Sequence, residues 1–400
     1  MANSLLSNKR QVFLLLCLAQ ITISFNLAAV AAVIPSISRE LGFSDVAVAR
    51  IIPHYLWAYG LGALMYAPLM RWFSVKRLLA VSLLVFSLSS LYCGITKSLN
   101  VLLFANFING CAAASVVPLG LMTIGKLFEK KERGRAVGLF FGSSFISALL
   151  GVLASGLVHW PFLFIIPFIL GIITLINILL IRVAEITIPE GRKIDYAKAL
   201  ADADVLKIFT FIFLMSFLYH GVYKWYGVYL DRQYHLDQLT ISSLILVTSV
   251  SGAVGQIWGG SLTDLRSRFF TVALGIVLLG FSTILLAGHY PIWIVALILA
   301  FISIGWTIGH NGISTVLTDF PDQYRSELAS LNSAVRFLSG GLGFYLSGFL
   351  IDKSFALNFL VIGCSLLALL PFIRFFISGH SILLRVSNET QCASKEYSAS

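Results

Sequence analysis

Charged residues are scarce in this chain of 400 residues, making up 12% of the sequence against 58% hydrophobic residues. The mean hydropathy of +0.90 lies far above the range of soluble proteins. A soluble fold of this length cannot bury that much apolar surface, so the composition excludes a soluble protein. Acidic residues are absent from the apolar stretches at the depth reached by two cations, Lys224 and Arg336.

Cysteine motifs and catalytic clusters are missing as well. The five cysteines form no CxxC motif and are Cys17, Cys93, Cys111, Cys364 and Cys392. We therefore predict free thiols, no metal site and no cofactor. A membrane enzyme needs a nucleophile with a base, paired carboxylates or a metal cluster, and the sequence shows none at the membrane surface. We expect the protein not to be an enzyme.

Twelve apolar runs have the length, about 20 residues, at which a helix crosses a ~30 Å hydrocarbon core. They are residues 12–34, 51–70, 78–96, 101–125, 136–158, 161–181, 208–229, 240–262, 269–288, 291–317, 328–350 and 355–377. The first run is too long for the core of a signal peptide and lacks a small-residue cleavage site, so it counts as a span. The sequence predicts an all-α membrane protein with twelve transmembrane helices in the lipid bilayer.

Basic residues are distributed unevenly between the two sets of loops. With the N-terminus inside, the cytoplasmic segments hold 21 Lys and Arg residues and the opposite side holds five. This bias predicts that both termini are cytoplasmic. We expect the membrane to be a bacterial inner membrane. The net charge of +10 is spread over short loops and not gathered into one patch with aromatics, so we expect no nucleic-acid partner.

The chain repeats itself at a shift of 192 residues. This shift pairs Phe128 with Phe320, Arg133 with Arg325, Leu139 with Leu331, Phe145 with Phe337, Ser147 with Ser339, Gly151 with Gly343, Ser155 with Ser347 and Gly156 with Gly348. A shift of 193 pairs Ala67, Leu69 and Ser74 with Gly260, Leu262 and Ser267. The repeat therefore relates the first half of the chain to the second.

Two six-helix bundles in the same orientation follow from the repeat. We predict an N-terminal bundle at residues 1–183, a cytoplasmic linker at 184–207, a C-terminal bundle at 208–377 and a cytoplasmic tail at 378–400. Parallel repeats of this kind are typical of alternating-access transporters, whose binding site lies between the halves near the midplane.

The loops after the second and eighth spans carry a known motif. The pattern Gly-x-Leu-x-Asp-Arg-x-Gly-Arg is matched in the second half by Gly260, Leu262, Asp264, Arg266 and Arg268. The first half keeps the frame from Ala67 to Arg77 but has Arg71 in place of the Asp, and the fifth span opens with Glu132-Arg133-Gly134-Arg135-Ala136. The chain resembles the major facilitator superfamily over essentially its whole length. The resemblance implies secondary transport by a monomer, with spans one, four, seven and ten around a central cavity.

The resemblance is nearest to bacterial drug and metabolite efflux members, with departures. Asn106 stands where that subgroup carries an Arg linked to proton coupling, and the antiporter motif of the fifth span survives only as Ser147, Gly151, Val152, Ser155 and Gly156. The motif's Pro, which perturbs the helix, is missing. Multidrug or metabolite efflux by proton antiport stays an alternative, as does a non-transporting membrane sensor or scaffold.

Lys224 and Arg336 suggest the substrate. Ionisable groups inside a membrane need a partner, and with no acid at that depth an anionic ligand fits the role. Arg336 can instead bond to carbonyls or to Tyr and Asn neighbours, and Lys224 can reach the interface along its flexible stem. We predict an anionic organic substrate bound by Arg336, Lys224, Tyr223, Tyr219, Asn26, Asn106, Asn311 and Asn332.

Proton coupling and gating complete the prediction. His54, His220 and His310 are the intramembrane groups with an unperturbed pKa of about 6.5, so they are the candidates for carrying a coupling proton. Each can also be an ordinary packing residue. For gating at the cytoplasmic helix ends we predict Asp264, Arg266, Arg268, Arg71, Arg133 and Arg325.

Overall fold

The computed structural model describes residues 2–70, 72–181, 195–317 and 325–377 of the protein. Within these ranges the chain is helical and contains no strand. A bilayer favours this architecture, because each backbone N–H and C=O in hydrocarbon must find a partner inside its own segment. The predicted all-α fold is confirmed.

Twelve spans cross the molecule. In the first half they are Ala2–Ala32, Ile51–Leu69, Val75–Ile95, Leu99–Ala113 with Val116–Leu127, Lys130–Leu157 and Phe162–Leu180. In the second half they are Ala203–Tyr223 with Tyr226–Tyr234, Gln238–Leu265, Arg268–Leu285, Ile292–Val316, Arg325–Ile351 and Phe355–Ala368, which continues through the turn Leu370–Phe372 into Ile373–Ile377. Among the described helices, eleven segments are long and apolar enough to cross a membrane, and we count the 19-residue helix Ile51–Leu69 as the twelfth span.

The fourth and seventh spans differ from their predicted form. The fourth and seventh spans, each predicted as one run, are both interrupted, at Ala114–Ser115 and at Lys224–Trp225. The seventh span begins at Ala203, inside the predicted linker, and a short helix at Tyr196–Leu200 precedes it. Linker residues 182–194 and the predicted tail at 378–400 lie outside the described ranges.

The interruption of the seventh span repeats one in the first span. The first helix ends at Ala32, Val33 bends, and a new helix runs from Ile34 to Leu41. In the second half the helix ends at Tyr223 and resumes at Tyr226, so Val33 and Trp225 hold equivalent places 192 residues apart. The same shift that matches side chains in the sequence therefore matches a break in the helices.

Close glycine contacts obey the same repeat. A Cβ on Gly151 would collide with the carbonyl oxygen of Phe25, and a Cβ on Gly343 would collide with that of Phe217. The two glycines are 192 residues apart, and so are the two phenylalanines. In each half the first helix therefore packs backbone to backbone against the fifth. Only glycine permits this approach.

The described contacts between the halves are concentrated at one end of the bundle, which we call the far side. There Arg39 pairs with Asp231 and Arg232 with Asp45, at 2.8 and 2.7 Å. The Ser155 and Ser242 hydroxyls lie 2.8 Å apart between the fifth and eighth spans. We call the opposite end, which carries the helix Tyr196–Leu200, the linker side.

Candidate functional site

A cavity of about 450 Å³ lies between the halves. The first half contributes Gln20, Ile23, Ser24, Leu27, Tyr55, Tyr59, Ala63, Val117, Pro118, Leu121, Phe141 and Ser144, and the eleventh span contributes Ala329, Ser330, Asn332, Ser333, Arg336 and Phe337. The lining reaches Leu121 and Ala329, near the linker-side ends of the fourth and eleventh spans. This arrangement places the cavity on the linker side of the far-side contacts.

Arg336 supplies the positive charge of this cavity. Its Nε atom is buried and has no hydrogen-bond partner among the described residues, and none of their acidic side chains forms an ion pair with it. The helix that carries Arg336 is fixed locally, because the Ser216 hydroxyl donates to the Arg336 carbonyl oxygen at 2.8 Å. Beside it the rings of Tyr59 and Phe337 lie 4.1 Å apart, joining the two halves. The helix segment around Arg336 is thus fixed, while among the described residues its guanidinium has no counter-ion.

The position of Arg336 is occupied by a serine in the other half. Ser144 precedes Arg336 by 192 residues and lines the same cavity. The Ser144 hydroxyl lies 2.6 Å from that of Ser24, whose own equivalent is Ser216, the residue that bonds to Arg336. The pair of helices is therefore the same in both halves, and only the second carries a charge at this place.

Lys224 does not reach the main cavity or the membrane interface. It is 5% exposed, and its Nζ donates to the Leu27 carbonyl oxygen at 3.0 Å. Its Nζ also lies 4.8 Å from the centre of the Tyr223 ring. Lys224 therefore bridges the first and seventh spans in the interior.

A chamber of about 20 Å³ adjoins Lys224. Asn26 and Asn106 line it, and it shares Leu27 and Tyr55 with the main cavity. The Asn106 amide donates to the Ile51 carbonyl oxygen at 2.8 Å, whereas the Oδ1 atom of Asn26 is buried without a partner among the described residues. Three predicted site residues, Asn26, Asn106 and Lys224, thus meet in this chamber. Leu27 and Tyr55 separate it from the cavity that contains Arg336.

Aromatic rings close the side formed by the seventh and tenth spans. Tyr219 stacks on Trp306 with ring centres 4.0 Å apart and on Tyr223 at 5.2 Å, and Trp306 stacks on His310 at 5.5 Å. The resemblance implied that spans one, four, seven and ten line the cavity. In the structure the described lining comes from spans one, two, four, five and eleven, because this stack fills the space beside the seventh and tenth.

The three candidate histidines occupy different places. His220 lies 2.8 Å from the Ser216 carbonyl oxygen, and His310 lies 3.3 Å from the Ser314 hydroxyl. Both contact the Trp306 ring within the second half. His54 is near the far side, with Nδ1 2.7 Å from the Arg50 carbonyl oxygen, and is not part of either chamber. Only His220 and His310 share an environment.

The two remaining predicted asparagines separate. Asn332 lines the main cavity. Asn311 instead joins the tenth span to the eighth, because its Oδ1 accepts from Gln256 at 2.9 Å and its Nδ2 donates to the Gln256 carbonyl oxygen at 2.6 Å. Its side chain is committed to helix packing.

The family of the chain is decided by a match to a family model. The model described as Major Facilitator Superfamily matches residues 16–344 of the 400. The chain belongs to the Major Facilitator Superfamily. It is an integral membrane protein and a transporter, as the resemblance in its loop motifs implied.

Relatives from bacteria share parts or most of the chain. Multidrug resistance protein 2 of Bacillus subtilis is 21% identical over 380 residues, covering 89% of this chain and 93% of its own. Multidrug resistance protein 1 of the same organism is 23% identical, covering 86% and 91%. Puromycin resistance protein pur8 of Streptomyces alboniger is 34% identical, but the match spans 35% of this chain and only 28% of the relative.

Solved structures of superfamily transporters share the fold. A bacterial homologue of the human lysosomal transporter Spinster, in an inward-facing and unoccupied conformation, has a TM-score of 0.75 at 15% identity, covering 92% of this chain and 95% of its own. The D-xylose-proton symporter has a TM-score of 0.73 at 13% identity, covering 92% and 98%. At this identity the likeness concerns the fold alone.

The superfamily loop motif lies at the linker side. Arg266 is exposed and Arg268 partly buried, next to the start of the ninth span, whose Ser267 caps the helix by accepting from Phe270 N at 3.1 Å. Ser74, its equivalent in the first half, caps the third span in the same way. Arg71 and the side chains of Asp264, Arg133 and Arg325 lie outside the described part of the structure.

Sequence reasoning did not single out the serines of the cavity. Ser24, Ser144, Ser330 and Ser333 all line it. Serine also occurs in packed helices here, as at Ser155, whose hydroxyl donates to the Val152 carbonyl oxygen at 2.6 Å. Residue type alone therefore gives no signal, although the spacing of Ser330, Ser333 and Phe337 by three and four residues marks one helix face.

Proposed function

We propose that this transporter moves a small organic anion by alternating access, and that Arg336 binds the anionic group. The observation that carries the proposal is the buried, unpartnered Nε of Arg336 in a 450 Å³ cavity. Burying a charge without a partner costs free energy. A ligand that supplies the opposite charge removes part of this cost and therefore binds more tightly. The planar guanidinium fork suits a carboxylate or phosphate, with two parallel hydrogen bonds.

The rest of the lining favours a substrate with an apolar or aromatic body. Tyr59, Phe141, Leu121 and Phe337 surround the cavity, and the hydroxyls of Ser24 and Ser333 add polar contacts. A cationic substrate would meet repulsion from Arg336 in a space of low dielectric constant. We expect amphipathic anions to bind better than lipophilic cations.

Alternating access requires a second conformation in which the far side opens. Far-side contacts between the halves, such as Arg39 with Asp231, would separate, while the Tyr59 and Phe337 rings would remain near the pivot. We propose that the protein works as a monomer in a bacterial inner membrane, with the linker side and both termini in the cytoplasm. Coupling to protons through a buried titratable group is part of the proposal.

Uptake into proteoliposomes tests this function. Labelled organic anions of similar size, with carboxylate or phosphate groups, are compared with lipophilic cations, with and without a pH gradient. Saturable transport of an anion that other anions inhibit supports the proposal. Preferential transport of cations, or no saturable transport of any anion, contradicts it.

Efflux of drugs by proton antiport is the second candidate. It is favoured by the names of the two Bacillus subtilis relatives, each aligned over more than four fifths of this chain. Everted membrane vesicles separate the direction of transport, because an exporter accumulates substrate inside them when their interior is acidic. A sensor or scaffold would transport nothing in either assay.

A further inference from the structure

The seventh span is interrupted where it meets the other half of the protein. Its first helix ends at Tyr223, and Lys224 and Trp225 form the turn before the helix resumes at Tyr226. Just beyond the turn, Gly227 packs so closely against the Ala31 carbonyl oxygen that a Cβ would collide with it. Lys224 therefore sits at a break in its own helix and at a tight contact between the halves.

Lys224 Nζ makes fewer hydrogen bonds with the described residues than its three N–H groups allow. Of its three N–H donors, one reaches the Leu27 carbonyl oxygen at 3.0 Å, and no acidic side chain among the described residues pairs with it. Across the adjoining chamber, Asn26 Oδ1 is buried without a partner. A volume of about 20 Å³ holds one water molecule, which needs about 10–15 Å³ of this kind of space. Such a water can accept from Lys224 and donate to Asn26.

Proton coupling requires a group whose surroundings differ between the two conformations. A proton can shift a conformational equilibrium only if it binds one conformation better than the other. The described contacts of His220 and His310 are with Ser216, Tyr219, Trp306, Ser314 and Gly340, all in the second half. Rocking of one half against the other would leave these contacts unchanged. Lys224 instead contacts Leu27 of the first half, and opening of the far side would break that contact.

We propose that Lys224 is the proton-carrying residue of this transporter, and that it is protonated while the far side is open and neutral in the conformation described here. The inference rests on the proposed transport function. When the far side closes, one N–H bond of the ammonium breaks, the proton passes to water, and the electron pair stays on Nζ as a neutral amine that still donates to Leu27. Burial disfavours the charged form of an amine, so protonation favours the open far side, where water solvates the ammonium group.

Few other titratable groups face Lys224. The first and fourth spans present Asn26, Leu27 and Asn106, none of which titrates. The second span presents Tyr55. On its own span Tyr223 and, one turn earlier, His220 are the neighbours. Tyr55 also lines the main cavity, so the chamber is one side chain away from the linker-side opening.

Transport measurements separate coupling from binding. Purified protein in proteoliposomes is assayed for anion exchange without a gradient and for net accumulation driven by a pH gradient. With one proton per substrate, a gradient of about one pH unit drives about tenfold accumulation in the wild type. Lys224→Met and Lys224→Arg should keep exchange, which shows that they fold and bind, but accumulation should fall to a ratio of about one, because neither side chain releases a proton at these pH values.

Two controls should keep the gradient-driven accumulation. Lys97→Met removes an exposed lysine from the far side. The double variant His220→Gln/His310→Gln removes both buried histidines. Accumulation that persists in either Lys224 variant, or that disappears only in the histidine variant, overturns the proposal. Absence of anion exchange in the wild type counts against the proposed function itself.

A measurement without substrate tests the same idea. Spin labels at Phe43→Cys and Gln233→Cys, two exposed far-side positions in different halves, are introduced after replacement of the five native cysteines. The wild type should shift toward the long far-side distance as the pH falls. Lys224→Arg, which stays charged, should show the long distance at every pH, and Lys224→Met should show no shift. A wild-type distance that does not change with pH, or a shift that persists in Lys224→Met, overturns the proposal even if no substrate has been found.

Discussion

Arg39 and Asp231 hold equivalent places in the two halves and bind each other, with Arg39 Nη1 2.8 Å from Asp231 Oδ1. Their positions differ by the 192 residues of the repeat. An ion pair between equivalent positions lies on the pseudo-two-fold axis that relates the halves. Beside it Arg232 Nε binds Asp45 Oδ2 at 2.7 Å, so two ion pairs join the far-side helix ends.

Reversing one charge of the axial pair should favour an open far side. Asp231→Arg places two arginines on the axis, whereas Arg39→Asp/Asp231→Arg restores a pair in the opposite sense. Exposed ion pairs are worth roughly 0.2–1 kcal/mol, so the population ratio should change by no more than about fivefold and return in the double variant. Far-side spin-label distances measure this. A double variant as perturbed as the single one would show that the pair itself is unimportant.

Arg336→Ala should abolish anion binding and transport while leaving folding nearly unchanged, because the guanidinium has no described partner to lose. Arg336→Lys should recover little, since an ammonium group lacks the bidentate fork. The affinity for a labelled anion and the apparent melting temperature are measured together. Arg50→Ala, at an exposed far-side arginine, is the matched control. Wild-type transport by Arg336→Ala would contradict the proposed anion site.

Gly151→Ala and Gly343→Ala should both destabilise the protein, since each added Cβ meets a carbonyl oxygen of the neighbouring helix. Overpacking of this kind costs typically about 1–3 kcal/mol. Gly138→Ala in the fifth span, where nothing lies within 4 Å of the added Cβ, should be neutral or slightly stabilising. Thermal unfolding in detergent compares the three. Equal melting temperatures for Gly151→Ala and Gly138→Ala would rule out the close approach.

Asp264→Asn should slow turnover more than it weakens substrate binding. The residue belongs to the superfamily loop motif at the linker side, so we expect it to bias conformations without touching the ligand. Separate measurements of dissociation constant and maximal rate decide the point. Loss of affinity at an unchanged rate would contradict a gating role.

The number, type and order of the spans could be predicted from the sequence, because length and hydropathy fix which segments cross a bilayer. Ser74 and Ser267, which the sequence repeat pairs, cap equivalent helices in the structure. The break at Val33 directly precedes the helix turn that contains Pro35, a residue that interrupts helices. The break at Lys224–Trp225 contains no proline or glycine and was not predicted. The contacts at Gly227 show that packing between the halves, which is nonlocal, accompanies the second break.

Depth along a helix could be predicted, but direction around it could not. Counting residues placed Lys224, Arg336 and Asn311 inside the membrane, and all three lie within the candidate membrane-spanning segments of the structure. Whether each side chain turns toward the cavity depends on how its helix is rotated by its neighbours. Asn311 turns to Gln256 and Lys224 to Leu27, while Arg336 faces the cavity. Large aromatic rings, such as Tyr219 on Trp306, fill the space beside the seventh and tenth spans, and the hydrophobic periodicity of the sequence does not predict this stacking.

Arg336 stands where the first half has Ser144, and this difference between the halves makes the cavity asymmetric in charge. Its positive end belongs to the eleventh span, and its broad apolar wall comes from the other half, at Val117, Leu121 and Phe141. A ligand with an acidic head and an apolar tail is therefore oriented before any conformational change, with the head on one moving body and the tail on the other. Shape and charge recognition can then diverge independently, through substitutions in different halves of the chain.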